Sequence, residues 1–399
     1  MLRSAALLIV AALAAVVASP LTAQEGRQPA RPIDPPKPAE SRPVDIVICL
    51  DVSGSMNGLI DSAKLQLWNI VNELTRIKPT PQLRVGLYSY GATAYDRNKG
   101  WVRKEVDLTE DLDEVYKALN ALKTGGGEEY VARVTKYALD EQNWAADKNA
   151  LKLIFVCGNE PADQDKQVKL EDVAKQAKET GVIVNTIYCK YGQDNEIPGW
   201  KAFSESCGGR HVDIDQNKAV KQVIAKTEFD DQIIKLGEEL NKTYVAYGKD
   251  GKAKADNQVA QDKNAAEARP AAPGAAPTAA IERSVTKAGE LYRNATWDLV
   301  DKMKEKDFDI TKLKDEDLSE ELRKIKPEDR LAFLKKKAEE REELKKKIAE
   351  LSAQRQKKID EERTKTPKTD GEKALDEAFK GLIRDQAKSK GFDIPAEKK

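Results

Sequence analysis

Asp51, Ser53 and Ser55 are three oxygen-bearing side chains on one short turn, Asp51-Val52-Ser53-Gly54-Ser55-Met56. A carboxylate and two hydroxyls spaced one residue apart are hard donors, a set suited to Mg²⁺, which prefers oxygen ligands and keeps some of its waters. The turn follows the apolar run Val44–Leu50, which reads as a strand buried on both faces of a parallel sheet. The three side chains therefore fall in the loop at a strand's carboxyl end, where open α/β sheets place their ligands. After the turn, apolar positions 59, 60, 63, 67, 70, 71 and 74 recur at helical spacing, giving the order strand, oxygen-rich loop, amphipathic helix. The competing reading is ordinary turn chemistry, with Ser53 and Ser55 capping a helix and Asp51 serving as a turn carboxylate.

Further along, apolar strands alternate with amphipathic helices. Leu83–Tyr90 and Trp101–Val106 read as a hairpin, Leu112–Leu122 and Glu129–Leu139 as helices, and Leu151–Cys157 as a core strand. Val168–Thr180 reads as a helix halted by Gly181, followed by the strand Val182–Tyr188, a short last strand Arg210–Ile214 and a helix beginning near Asn217. The fold class is α/β: a doubly wound, mostly parallel sheet with one antiparallel hairpin strand and a charged helical C-terminal extension.

The Asp-x-Ser-Gly-Ser-Met signature, in this strand–loop–helix setting, resembles the metal-ion-dependent adhesion site of the von Willebrand factor type A domain. The resemblance runs from about Val44 to Ala225. In that family a second loop supplies a threonine and a third an aspartate. Here the second loop, Lys123–Tyr130, carries Glu128 at the threonine's position, and Thr124 lies before the glycines. The third loop, Phe155–Asp163, has Cys157 at the aspartate's position, with Asn159, Glu160 and Asp163 nearby.

The resemblance thus implies an altered metal site of Asp51, Ser53, Ser55, Glu128 and Glu160 taking Mg²⁺, or alternatively Mn²⁺ or Ca²⁺. It also implies a protein partner whose carboxylate completes the ion's shell, in an adhesion-type role. Two added glutamates would blunt the ion's pull on that anion. The rival reading keeps the fold with weak or absent metal binding, the domain then serving as a structural envelope scaffold.

The chain has 399 residues, with Lys+Arg and Asp+Glu both at 68, so its charge gives no argument for nucleic acid as a partner. Arg3, the apolar run Ala5–Val17 and Leu21-Thr22-Ala23 read as a secretory signal peptide over 1–23, which predicts a periplasmic or secreted protein. No later stretch is long and apolar enough to span a membrane. Residues 24–43 read as a Pro-rich tether, 44–225 as the α/β domain and 226–248 as an amphipathic helix. Residues 249–280 read as a flexible Ala/Pro/Gly linker and 281–399 as a charged helical region.

Over Arg330–Arg363 a heptad face of Leu334, Leu344, Ile348 and Leu351 is interrupted by Lys337, Arg341, Arg355 and Lys358. That pattern reads as a solvated single helix rather than a sustained coiled coil. Oligomeric state is not legible.

Cys49 and Cys157 read as small buried hydrophobes, and an oxidising compartment would allow a Cys189–Cys207 disulfide. A metal-dependent hydrolase is the enzyme alternative. His211, the one histidine, lacks an accompanying Ser or Cys nucleophile motif and reads as structural.

Overall fold

In the computed structural model, residues 41–75, 77–190, 195–215, 226–268, 276–365 and 375–393 are described. Strand β1 (Pro43–Asp51) forms because its side chains are apolar on both faces, and all but the first of its residues are buried. Its one interior charge, Asp45, is held by the residue beside it in the ladder: Arg84 donates two hydrogen bonds to it, at 2.9 and 2.7 Å. Helix α1 (Asn57–Leu74), β2 (Gln82–Tyr90), β3 (Val102–Thr109), α2 (Leu112–Ala121) and α3 (Val131–Glu141) follow. Next come β4 (Leu151–Gly158), α4 (Leu170–Thr180), β5 (Ile183–Lys190), α5 (Ile197–Ser206) and β6 (His211–Asp215). The sheet order is β3-β2-β1-β4-β5-β6, parallel throughout except for the β2–β3 pair. This is the doubly wound α/β class, and it places the ends of β1 and β4 side by side.

Strand alternation sorts the core into two layers. Val44, Ile46, Ile48 and Leu50 face α1 and α2, whereas Val47 and Cys49 face the layer of α3, α4 and α5. The same parity overturns the expected disulfide. Cys189 belongs to the first layer and Cys207 to the second, so the sheet stands between them, and all four cysteines are buried free thiols.

The C-terminal sequence departs furthest from expectation. Helix α6 (Asp230–Asn241) matches the predicted amphipathic helix. The supposed linker holds α7 (Gly251–Glu267) and the start of α8 (Thr278–Ala288), because its first half is rich in Ala, Lys, Gln and Asn while Pro and Gly gather near its centre. Helices α9 (Pro327–Lys365) and α10 (Leu375–Ser389) complete the chain. Helix α8 packs on α1 and α6, α9 packs on α6 and α8, and α10 packs on α1.

Helix α9 is not a free solvated rod. Leu334, Arg341, Ile348 and Arg355 recur every seventh residue and are all buried. Two of the supposed interruptions are therefore anchors: Arg341 pairs with Asp298 and Asp301, and Arg355 with Asp230 and Glu282. Helix α10 seats Phe379 against Phe155 of the sheet, ring centroids 4.3 Å apart, and Gln386 exchanges two hydrogen bonds with buried Asn185. The signal peptide, most of the tether, the helix near Asn217 and the Pro/Gly centre of the linker lie outside the described residues. No helix among the described residues is long and apolar enough to cross a membrane.

Candidate metal centre

Asp51 is the last residue of β1, and its side chain is fully buried. Its Oδ1 accepts the Ser53 backbone N–H at 2.7 Å, which folds the turn back over the strand end. Its Oδ2 is buried with no hydrogen-bond partner among the described residues. The Ser53 and Ser55 hydroxyl oxygens lie 3.1 Å apart, and Ser55 makes long contacts of 3.3–3.4 Å with the side-chain amide of Asn159. A carboxylate, two hydroxyls and an amide oxygen thus gather at the carboxyl ends of β1 and β4.

Close backbone approach builds the second side of the site. Gly125 N–H donates to Val52 O at 2.8 Å, and Thr93 N–H donates to Gly126 O at 2.6 Å. A Cβ at Gly127 would stand 2.8 Å from Gly91 O, so only glycine lets the loop lie this near β2. Gly127→Ala is expected to cost about 1–3 kcal/mol, the range for forced overpacking. A lower urea midpoint would show it, and an unchanged midpoint would mean the loop yields freely. A Cβ at Gly91 itself would meet Glu129 Cγ at 2.9 Å and Asp51 Oδ1 at 3.0 Å, so Glu129 comes up beside Asp51.

The structure brings together Asp51, Ser53 and Ser55, with Glu160 half-buried at the rim, while Glu128 is exposed. Glu129 is the second-loop carboxylate that sequence reasoning missed. The glycine run gave the loop's position but not which of two successive glutamates turns inward. Glu129 N–H donates to Gln164 Oε1 at 3.2 Å, and Gln164 reaches Glu160 at 3.4 Å, linking the two acids. Trp200 Nε1 holds the Glu160 carbonyl at 2.7 Å, and the Tyr90 hydroxyl holds the Cys157 carbonyl at 2.9 Å, fixing the third loop from below. Cys157 points into the core, where burial pushes its thiol well above the ordinary range, and Asp163 is exposed.

Burial raises the Asp51 carboxyl to about 8 against the pull of its Ser53 hydrogen bonds, and the charges of Glu129 and Glu160 add to the rise. Glu129 is lifted to about 7, again first by burial and then by Glu160 and Glu128. Burial and mutual repulsion keep these acids from ionising, and a cation held among them would oppose both effects.

Among the described residues, no three His, Cys, Asp or Glu side chains gather closely enough to hold a metal ion by themselves. The donor set therefore depends on the hydroxyls. A buried carboxylate on the same short turn as two hydroxyls 3.1 Å apart is a donor set that fits a hard cation.

His211 opens β6 at the strand's amino end, away from this lip. Its Nδ1 lies 2.8 Å from Thr186 Oγ1 and its Nε2 3.3 Å from Asp213, and burial lowers its pKa. It is held as part of the sheet edge.

The family model for the von Willebrand factor type A domain matches residues 45–226. That segment is a von Willebrand factor type A domain. No curated protein matches the chain. Among solved structures, the type A domain is similar to proximal thread matrix protein 1 from the mussel byssus, at 13% identity and a TM-score of 0.35, covering 45% of this chain and 43% of that one. It is also similar to the pilus adhesin SpaC from Lactobacillus rhamnosus GG, at 16% identity and a TM-score of 0.37, covering 45% and 28%. An aerotolerance-related membrane protein from Bacteroides fragilis gives 15% identity and a TM-score of 0.30, covering 44% and 94%. The chain thus spans less than half the length of the mussel and Lactobacillus proteins.

Proposed function

We propose that the type A domain is an exported protein-binding module that captures an acidic group of its partner through a divalent cation. Asp51, Ser53 and Ser55 would hold the ion, with Glu129, rather than Glu128, as the carboxylate of the second loop and Glu160 as that of the third. Mg²⁺ suits this oxygen set, with Mn²⁺ and Ca²⁺ as alternatives. The bound ion supplies an open coordination position that a partner carboxylate can fill. Ser53 and Ser55 contribute oxygens without charge, which leaves more of the ion's charge for the incoming anion. Tyr90 and Trp200 keep the third loop in place through backbone carbonyls. The observation that carries this reading is the buried Asp51 Oδ2 with no partner among the described residues, on the same turn as the paired Ser53 and Ser55 hydroxyls. Export rests on the N-terminal sequence pattern alone.

A scaffold with little or no metal affinity is favoured by one observation: burial makes Asp51 hold its proton near neutral pH, so an ion must displace it. Calorimetric titration of the full chain with Mg²⁺, Mn²⁺ and Ca²⁺, beside Asp51→Ala, separates the two readings. Saturable heat in the native protein and none in the variant is expected. Equal traces from both proteins would leave only the scaffold.

A further inference from the structure

Next to the oxygen-rich turn, a cleft of about 260 Å³ opens between the start of α1 and the second loop, lined by Asn57, Ile60, Asp61, Lys64, Leu122, Lys123 and Thr124. Its walls continue the proposed metal site on both sides, because Asn57 lies two residues after Ser55 and Thr124 directly precedes the glycines.

We infer that this cleft is a second anion subsite, so that the partner is a protein segment carrying two carboxylates, one for the cation and one for the Lys64–Lys123 cleft. The inference rests on the metal-dependent reading above. Several observations point the same way. Lys64 and Lys123 line the cleft, and neither ammonium has an ion-pair partner among the described residues. The Thr124 hydroxyl donates to Asn57 Oδ1 at 2.7 Å, which leaves the Asn57 N–H groups to donate to a ligand. Helix α1 has no acidic side chain in its first turn and no side-chain cap, so its positive end is not neutralised locally. Asp61 is the one acid on the wall, and it is exposed at the lip, so the lysines outnumber it.

The contrast with the neighbouring rim gives the cleft its selectivity. Glu128, Glu129 and Glu160 make the metal side repel an anion that has no cation to meet, whereas the cleft attracts one directly. A segment with a single acid could use only one of the two sites, and in magnesium that is the ion. A segment with two at matching separation would engage both, and the two contacts fix its direction across the domain.

Fluorescence polarisation on the full chain in millimolar magnesium chloride tests this with labelled alanine–serine octapeptides. One peptide carries a single glutamate, and the others carry a second glutamate two, three or four residues further on. The best diacid peptide is expected to bind about tenfold tighter than the monoacid, as two added rim charge contacts allow. Lys64→Ala with Lys123→Ala should erase that advantage and leave monoacid affinity unchanged. A diacid advantage that survives in the lysine variant, or none in the native protein, overturns the subsite while leaving the metal reading intact. If chelation changes neither peptide's binding, the metal reading falls. The cleft then stands only if the lysine variant loses diacid binding, and falls with it otherwise.

Discussion

Arg341→Ala should lower the stability of the whole chain by about 3–5 kcal/mol, the cost of leaving a buried charge without its partner. Arg341 comes from the middle of α9, is 1% exposed, and reaches two other segments at once. It donates to Asp298 at 2.7 and 3.2 Å, to Asp301 at 3.1 Å, and to the hydroxyl and carbonyl of Thr243 at 3.0 and 2.7 Å. Its guanidinium also lies 4.0 Å from the centre of the Tyr244 ring. Removing it leaves Asp298, which is fully buried, with only the backbone N–H groups of Val245 and Asp301.

Urea titration should therefore show a much lower midpoint for Arg341→Ala, and Arg341→Lys should recover only part of it, because an ammonium cannot reproduce the planar fork. Lys336→Ala, on the same helix but exposed, should stay within about 0.5 kcal/mol of the native protein. Combining Arg341→Met with Asp298→Asn should cost less than Arg341→Ala, since the fully buried carboxylate is gone and Asp301 keeps Lys304 at 3.5 Å. A near-native midpoint for Arg341→Ala would mean that α9 is not clasped to the rest of the chain through this residue.

That clasp explains why the C-terminal sequence was the least legible part. Arg341 and Arg355 interrupt an apolar heptad, and their partners Asp298, Asp230 and Glu282 lie 40 or more residues away in sequence. A pattern of spacing within one helix cannot show that such a charge is neutralised from outside. The α/β domain was legible because each strand's apolar run and each helix's periodicity are local signals. Helix α5 was the exception: it is short, and it is anchored by Trp200 and Phe203 behind a proline in its first turn.

The candidate site's first loop could be read as a unit for the same reason, since Asp51, Ser53 and Ser55 share one turn. The second loop was not, because Gly125–Gly127 can aim either Glu128 or Glu129 inward, and the choice follows from the approach to Gly91. The cysteines carry the opposite lesson. Cys189 is close to Cys207 in sequence, yet strand parity puts it on the face of Ile187, away from Cys207.

Asp51→Asn should stabilise the metal-free protein at pH 8 while removing the response to magnesium. In the folded chain burial raises the Asp51 carboxyl from 3.8 to about 8, so between those values the folded state keeps a proton that the unfolded state has lost. Stability contributed by this group is complete below about pH 4 and is lost as pH rises through 8. Glu129, raised to about 7, acts in the same direction. Asparagine mimics the protonated acid: its carbonyl oxygen keeps the Ser53 N–H bond, and no charge forms at the buried Oδ2 position.

In chelator the variant should therefore be clearly more stable than the native protein at pH 8 and match it near pH 4. Magnesium at a hundredfold its Kd should add about 2.7 kcal/mol to the native protein and nothing to the variant, narrowing the gap between them. Thermal melts at the two pH values, with and without the ion, read all four states. A native protein whose melting point ignores magnesium while the asparagine variant still gains at pH 8 would show that Asp51 is a buried acid of the fold and not a ligand. If the variant is destabilised at both pH values, the carboxylate is needed in its charged form even without an ion, and the orphaned oxygen loses its meaning as a metal donor.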